Sequence, residues 1–232
     1  MKKARIIRLV VILVVAGVVY LKRGQETGGT TSTSSQSDSG SAVLKKDPLG
    51  GQAASAKVNG YDKFAGAKLI NDEGNDGDSF FVDLGGRKIQ LRLYFVDAPE
   101  KYLSDRYENQ QRRVADQARE MGGISSEQAV EVGKAAKLFM ERELKGKNFT
   151  VYTYWEEVYD GDRYYGFVEL ADGSYFGSKL VENGLARIHT KGPGSKQNPV
   201  PTPDGKKFFD HRDMLRDLER KAQKADRGAW GL

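Results

Sequence analysis

Asp76-Gly77-Asp78-Ser79 stands just before one β-rich run, and Arg92-Leu93-Tyr94-Phe95-Val96-Asp97-Ala98-Pro99-Glu100 closes the next. Two short carboxylates at strand ends, Asp78 and Asp97, could share a hard cation whose remaining ligands are backbone carbonyls and water. An arginine on the same strand, Arg92, could hold a phosphate through two parallel hydrogen bonds. Glu100 follows a turn stiffened by proline, within reach as a proton acceptor. Each piece also has an ordinary reading. Asp-Gly-Asp suits a turn, Asp-Ala-Pro-Glu suits a strand exit, and a strand arginine is commonly solvated or paired. The signal lies in their order and spacing.

Composition narrows the chemistry further. The 232 residues include no cysteine, which excludes disulfides, thiolate zinc sites and cysteine nucleophiles. His189 and His211 are the only histidines, so any metal must be held by oxygen ligands, which favours calcium or magnesium. The net charge of +5 is carried by the amino-terminal segment: residues 1–56 hold eight Lys/Arg and three Asp/Glu, leaving 29 of each sign in the remainder. A polyanionic partner must therefore be recognised by local clusters rather than by a global field.

The chain divides into three parts. Residues 9–21 are uncharged and apolar, flanked by Lys2, Lys3, Arg5 and Arg8 before and Lys22 and Arg23 after. That pattern predicts an exported protein, with residues 1–23 either an uncleaved membrane anchor or a removed signal peptide. The other reading of the run is a buried core helix. Residues 24–56, rich in Gly, Ser and Thr, lack the apolar content to order themselves and read as a tether. Residues 57–232 read as one folded domain. Its β-rich stretches are 57–64, 68–70, 79–83, 88–96, 149–154 and 163–170, the last followed by an Asp172-Gly173 turn. Helical periodicity begins at Val132 and stops at Gly146, recurs briefly over 178–183, and returns with Met214, Leu215, Leu218, Ala222 and Ala225. The predicted class is α+β, mainly β: a five-stranded OB-fold-type barrel with about three helices.

These landmarks resemble the thermonuclease (staphylococcal nuclease-like) family in order: the Asp-Gly-Asp-Ser turn, the Arg-to-Glu strand exit, and the helix over 133–144. The hairpin over 163–173, the Leu180-Val181-Glu182-Asn183-Gly184-Leu185-Ala186-Arg187 stretch and the terminal Arg227-Gly228-Ala229-Trp230-Gly231 follow. The resemblance implies an extracytoplasmic nuclease that uses Ca2+ to hydrolyse phosphodiester bonds of DNA or RNA. It implies Asp78, Asp97 and the Ala98 carbonyl as calcium ligands and Glu100 as general base. Arg92 and Arg163 would be phosphate clamps, with Asp76 and Ser79 supporting the metal. A monomer, tethered or secreted, is the simplest expectation. The alternative is a nucleic-acid-binding or interaction module on the same barrel that has lost catalysis. Retention of Arg92, Asp78, Asp97 and Glu100 together favours the enzyme.

Three departures bear on this. The family shows Tyr-Gly-Arg where this chain has Arg163-Tyr164-Tyr165-Gly166, and a shift of one residue in a strand would put Tyr164 in place of Arg163. The segment between Glu100 and Gly133 is longer than usual and holds Arg106, Arg112, Arg113 and Arg119; it reads as a substrate rim or as a solvated helix whose bases pair with interleaved acids. Where the family has base-stacking tyrosines, Ile188-His189-Thr190-Lys191 follows. Tyr152, Tyr154, Trp155, Tyr159, Tyr164 and Tyr165 could form another stacking platform, or pack the core. His189 and His211 read as structural or surface residues, and Trp230 as a plug for one end of the barrel.

Overall fold

The computed structural model describes residues 54–159 and 162–232. The apolar run and the tether lie outside the described residues. Among the described residues no helix is long and apolar enough to cross a membrane. The strands are β1 (Ala56–Val58), β2 (Tyr61–Leu69), β3 (Ser79–Asp83), β4 (Lys88–Leu93), β5 (Val96–Asp97), β6 (Phe149–Glu157), β7 (Arg163–Glu169) and β8 (Arg187–Ile188). The helices are α1 (Glu108–Glu120), α2 (Ser126–Leu144), α3 (Phe176–Glu182) and α4 (Phe208–Lys224), with a final 3-10 turn at Gly228–Gly231.

Pairing runs β2-β3-β4, crosses from β4 to a parallel β7, turns antiparallel into β6 and returns to β2, so five strands form a closed cycle. β1 adds three residues beside β2. Along β4, Ile89, Leu91 and Leu93 are buried while Gln90 and Arg92 face the other way, the period of two that a half-buried strand requires. Their inner face meets Tyr61, Phe80, Val151 and Phe167, closed over by Ala136, Met140 and Leu144 of α2 and Phe176 and Leu180 of α3. Each such side chain withdraws enough apolar area to contribute about 1.5–3 kcal/mol.

The structure departs from the sequence reading in four places. The stretches 57–64 and 68–70 belong largely to one strand, β2, which absorbs Gly66 (φ +79°) in a bulge between Ala65 and Ala67. The run 88–96 is broken at Phe95, whose φ of +68° is unusual for a bulky side chain. That turn sends Val96-Asp97 out of the main sheet to pair with Ile188 and Arg187. Phe95 is held there by donating its N–H to the Lys191 carbonyl (3.0 Å) and accepting from His189 N–H (2.9 Å), while Thr190 Oγ1 donates to the Leu93 (3.2 Å) and Val96 (3.1 Å) carbonyls. Among the described residues four helices are present rather than about three, because the charged segment before Val132 supplies α1 and the first turns of α2. Finally, α2 starts at Ser126, not Val132; Ser125 and Gln128 form a reciprocal capping box.

α2 reaches the strand ends through two glycines. A Cβ on Gly133 would fall 2.5 Å from the Pro99 carbonyl oxygen and closer still to that of Glu100. One on Gly77 would meet Ala136 Cβ at 2.6 Å. The loops bearing Asp78 and Glu100 are thus seated directly on one helix. In an open helix Gly→Ala gains about 1 kcal/mol; here overlap with backbone reverses the sign. Gly133→Ala should lose about 1–3 kcal/mol by urea denaturation, and a stabilised variant would show that this approach is looser than drawn.

His211 on α4 is buried among the rings of Phe95, Phe167 and Tyr175, and its Nδ1 has no hydrogen-bond partner among the described residues. Burial pushes its pKa down to about 4. Above its usual value near 6.5 both folded and unfolded forms are neutral; below it the unfolded chain binds a proton that the native state refuses until about pH 4. Stability is therefore lost as pH falls through that window, by about 1.4 kcal/mol per unit. His211→Leu should gain on the native protein by that slope between pH 6.5 and pH 4, measured as urea midpoints at several pH values. A difference independent of pH would mean that His211 titrates normally.

Candidate active site

The β3–β4 register sets Ser79 opposite Arg92, and the Leu93 N–H binds the Asp78 carbonyl (2.9 Å), so Asp78 lies beside the outward face of β4. Asp78 Oδ2 accepts the Ala98 N–H (2.8 Å) and sits 3.1 Å from Arg92 Nη2. The same Nη2 donates to Asp97 Oδ1. Asp97 Oδ2 accepts from Arg187 Nε (2.8 Å) and from Gln117 Nε2 (3.1 Å). One guanidinium therefore bridges both acids, and a second braces Asp97 from β8. Burial would raise both carboxyls. It wins at Asp78, whose pKa goes up despite Arg92, while Arg92 and Arg187 together outweigh it at Asp97 and hold that group below its usual value.

The oxygen set suits a hard cation. Asp78 Oδ1 accepts no hydrogen bond from the described residues, and the buried Ser79 Oγ has no partner. Asp76 stands at the edge of the group, its Oδ1 3.0 Å from Lys101 Nζ. Among the described residues no three Asp, Glu, His or Cys side chains gather closely enough to hold a metal. Any shell must then be completed by carbonyl oxygen and water, which is how calcium is commonly held. The Ala98 carbonyl already accepts from Gln117 Nε2 (3.2 Å) and has a second lone pair to give.

The far wall is α1, which the sequence left open between rim and solvated helix. Asn109, Arg112, Arg113, Asp116 and Glu120 of this helix line the cleft, and its polar groups are partly paired among themselves: Arg119 with Asp116 (2.8 Å), and Arg112 with Asn109. Its inner face buries Gln110, Val114, Gln117 and Ala118. Arg113 Nε reaches Glu100 Oε1 (2.9 Å), and Glu120 Oε2 lies in ion-pair range of Arg187 Nη1 (2.9 Å), with His189 Nδ1 3.5 Å away. Burial raises the Glu100 pKa against the pull of Arg113. Gln117 and Glu120 were invisible as site residues because two of the four buried positions are glutamines, which blur the apolar stripe that marks an inward helix face; Arg113 stood among the rim candidates, but its pairing with Glu100 could not be read. Arg187 had a signal as the last residue of the Leu180–Arg187 stretch, but no geometry.

Register sets which way Arg163 faces. β7 lies parallel to β4 with Gln90 opposite Arg163, Leu91 opposite Tyr164 and Arg92 opposite Tyr165. Arg163, Tyr165, Gln90 and Arg92 thus share the outward face, while Tyr164 turns inward against the Trp155 ring (5.2 Å, edge-on). Asp76, Arg92, Asp97, Glu100 and Arg163 open together on a cleft of ≈ 800 Å³ walled by α1 and residues 189–191. Of the aromatic group, Tyr152 and Tyr164 are core, and Tyr154 and Trp155 bond Asn59 and Asp62. Only Tyr159 and Tyr165 face the cleft.

A mainly β sheet with four helices, carrying paired acids, a third carboxylate and two arginines at one cleft, defines a nuclease-type architecture. Residues 90–231 match the staphylococcal nuclease homologue family, and the chain belongs to that family, with its OB-like fold. No curated protein matches the chain. The matched stretch holds Arg92, Asp97, Ala98, Glu100 and Arg163; Asp76, Asp78 and Ser79 lie just ahead of it and are brought in by the β3–β4 pairing.

Gln117 is fully buried, and its amide orientation is fixed because Oε1 accepts the Glu100 N–H (3.2 Å) while Nε2 serves Asp97 and Ala98. Gln117→Leu keeps the volume and strips a partner from three buried groups. It should cost about 2–4 kcal/mol in urea denaturation; a loss below about 0.5 kcal/mol would mean the amide does not pin the loop.

Proposed function

We propose that this chain is a calcium-dependent nuclease that hydrolyses phosphodiester bonds of DNA or RNA outside the cytoplasm. The observation that carries the reading is the convergence of Glu100, Arg92 and Arg163 on one cleft beside the buried Asp78–Asp97 pair. The closed cycle of five strands supports an OB-type barrel as the rigid base for these groups. The basic residues before the apolar run at 9–21 support export, with the domain anchored by that run or released from it.

Glu100 takes the proton from the water that attacks phosphorus. Its partial burial, which raises its proton affinity, suits that role, and Arg113 on Oε1 orients the carboxylate and leaves Oε2 to act. Arg92 and Arg163, on one face of neighbouring strands, neutralise the phosphate oxygens as charge builds towards the pentacoordinate state. Arg163 has no ion-pair partner among the described residues and is thus free to take a ligand. Calcium, held by Asp78, Asp97 and the Ala98 carbonyl with Asp76 and Ser79 beside it, would supply further positive charge at the phosphate and favour ionisation of water.

Digestion of single-stranded DNA, duplex DNA and RNA by the full chain, in calcium and in chelator, tests this. Cleavage should need calcium, should fall about 10²–10⁴-fold in Glu100→Gln and about 10²–10³-fold in Arg163→Ala, with circular dichroism unchanged. Near-normal turnover by Glu100→Gln would remove it as the base. Binding without cleavage by the unaltered chain would favour a module that holds nucleic acid without hydrolysing it.

A further inference from the structure

A second cleft, of ≈ 600 Å³, adjoins the first across the 189–191 segment, which lines both. Its floor is aromatic: the Phe95 and Phe208 rings are 5.0 Å apart, and Phe208 meets Phe209 at 5.1 Å and 73°. Phe209 nevertheless keeps 59% of its surface exposed. The rim carries Lys191, Lys196 and Arg212, and no Asp or Glu contributes to the lining. Lys191 is engaged with Glu156 (3.0 Å), whereas Lys196 and Arg212 have no ion-pair partner among the described residues. In a folded domain with equal numbers of acids and bases, an acid-free cleft with three cations is a local concentration of positive potential.

We propose that this cleft is a nucleotide subsite: it receives a single-stranded segment of DNA or RNA next to the bond being cut, a base stacked on Phe209 and phosphates on Lys196 and Arg212. An exposed ring beside unpaired cations is the combination that holds single strands, because every base offers a π-face and every linkage a charge. A duplex keeps its base faces hidden, so it gains only from the cations. The volume lies in the range that encloses a nucleotide-sized ligand. The segment shared by the two clefts sets them side by side, so that a strand lying across it would have the aromatic floor on one side and Arg92 and Arg163 on the other. The adjacency to the scissile bond rests on the nuclease reading of the first cleft; the binding does not.

The test is fluorescence anisotropy with a short labelled oligothymidylate in calcium, using the full chain in a Glu100→Gln background so that the strand survives. Lys196→Ala/Phe209→Ala/Arg212→Ala alters exposed positions and should leave the thermal transition unchanged. It should bind about tenfold or more weakly and flatten the logarithmic salt slope by about 1.4. Phe209→Ala alone should weaken a normal strand and leave an abasic one unaffected. With Glu100 restored, the triple variant should hydrolyse a nitrophenyl phosphodiester of thymidine, too small to reach the second cleft, at the rate of the unaltered chain. Unchanged affinity and salt slope in the triple variant overturn the subsite and leave the nuclease reading standing. Loss of binding in the triple variant of a chain that cleaves nothing would do the reverse, keeping the subsite and removing the nuclease. Failure of the parent protein to bind single strands, or equal losses on normal and abasic strands in Phe209→Ala, overturns the stacking site.

Discussion

Two carboxylates buried side by side repel each other and each loses its hydration, a cost of several kcal/mol per ion unless opposite charge is brought in with good geometry. Arg92 meets that requirement by setting one nitrogen between Asp78 and Asp97, and much of the structure follows from keeping it there. The guanidinium must lie on the outward face of β4, which fixes the strand's register against β3 and β7. Asp97 must leave the main sheet to reach it, which the turn at Phe95 accomplishes. A left-handed bulky residue costs about 1–3 kcal/mol and persists only where its surroundings over-determine it. Here two backbone hydrogen bonds and three aromatic neighbours do so.

The elements that obey a strict period were legible in the sequence. β4 alternates, α2 and α4 repeat apolar residues at helical spacing, and Asp172-Gly173 ends β7 where a turn residue should. What could not be read arises from contacts distant in the chain. The residue that turns the strand at 95 is a phenylalanine, and nothing local marks a phenylalanine for positive φ. The bulge at Gly66 looks in sequence like a gap between two strands because a bulge breaks the period that defines one. The start of α2 was legible in principle, since Ser125 and Gln128 carry a capping box, but apolar periodicity begins only later.

The site shows the same division. Its acids and Arg92 stood in a contiguous pattern and are brought together. Arg163 against Tyr164 turned on a single position of register, and the parallel pairing of β4 with β7 puts Arg163 on the outward face. The wall was hidden because α1 meets the site through polar atoms: an amide, a guanidinium and a carboxylate, Gln117, Arg113 and Glu120. Its own apolar contacts, Val114 and Ala118 against Ala129 and Val130, form a small cluster apart from the main core. A helix attached in this manner reads as surface in any hydrophobicity pattern.

The strip His189–Lys191 is a partition with a cleft on each side, fastened to the bend at Phe95 by main-chain bonds at both its ends and by the Thr190 hydroxyl at its middle. The next turn of chain beyond that bend carries Asp97. Three residues of backbone are thus the wall common to both chambers, and the bend to which they are bonded leads directly into the acid.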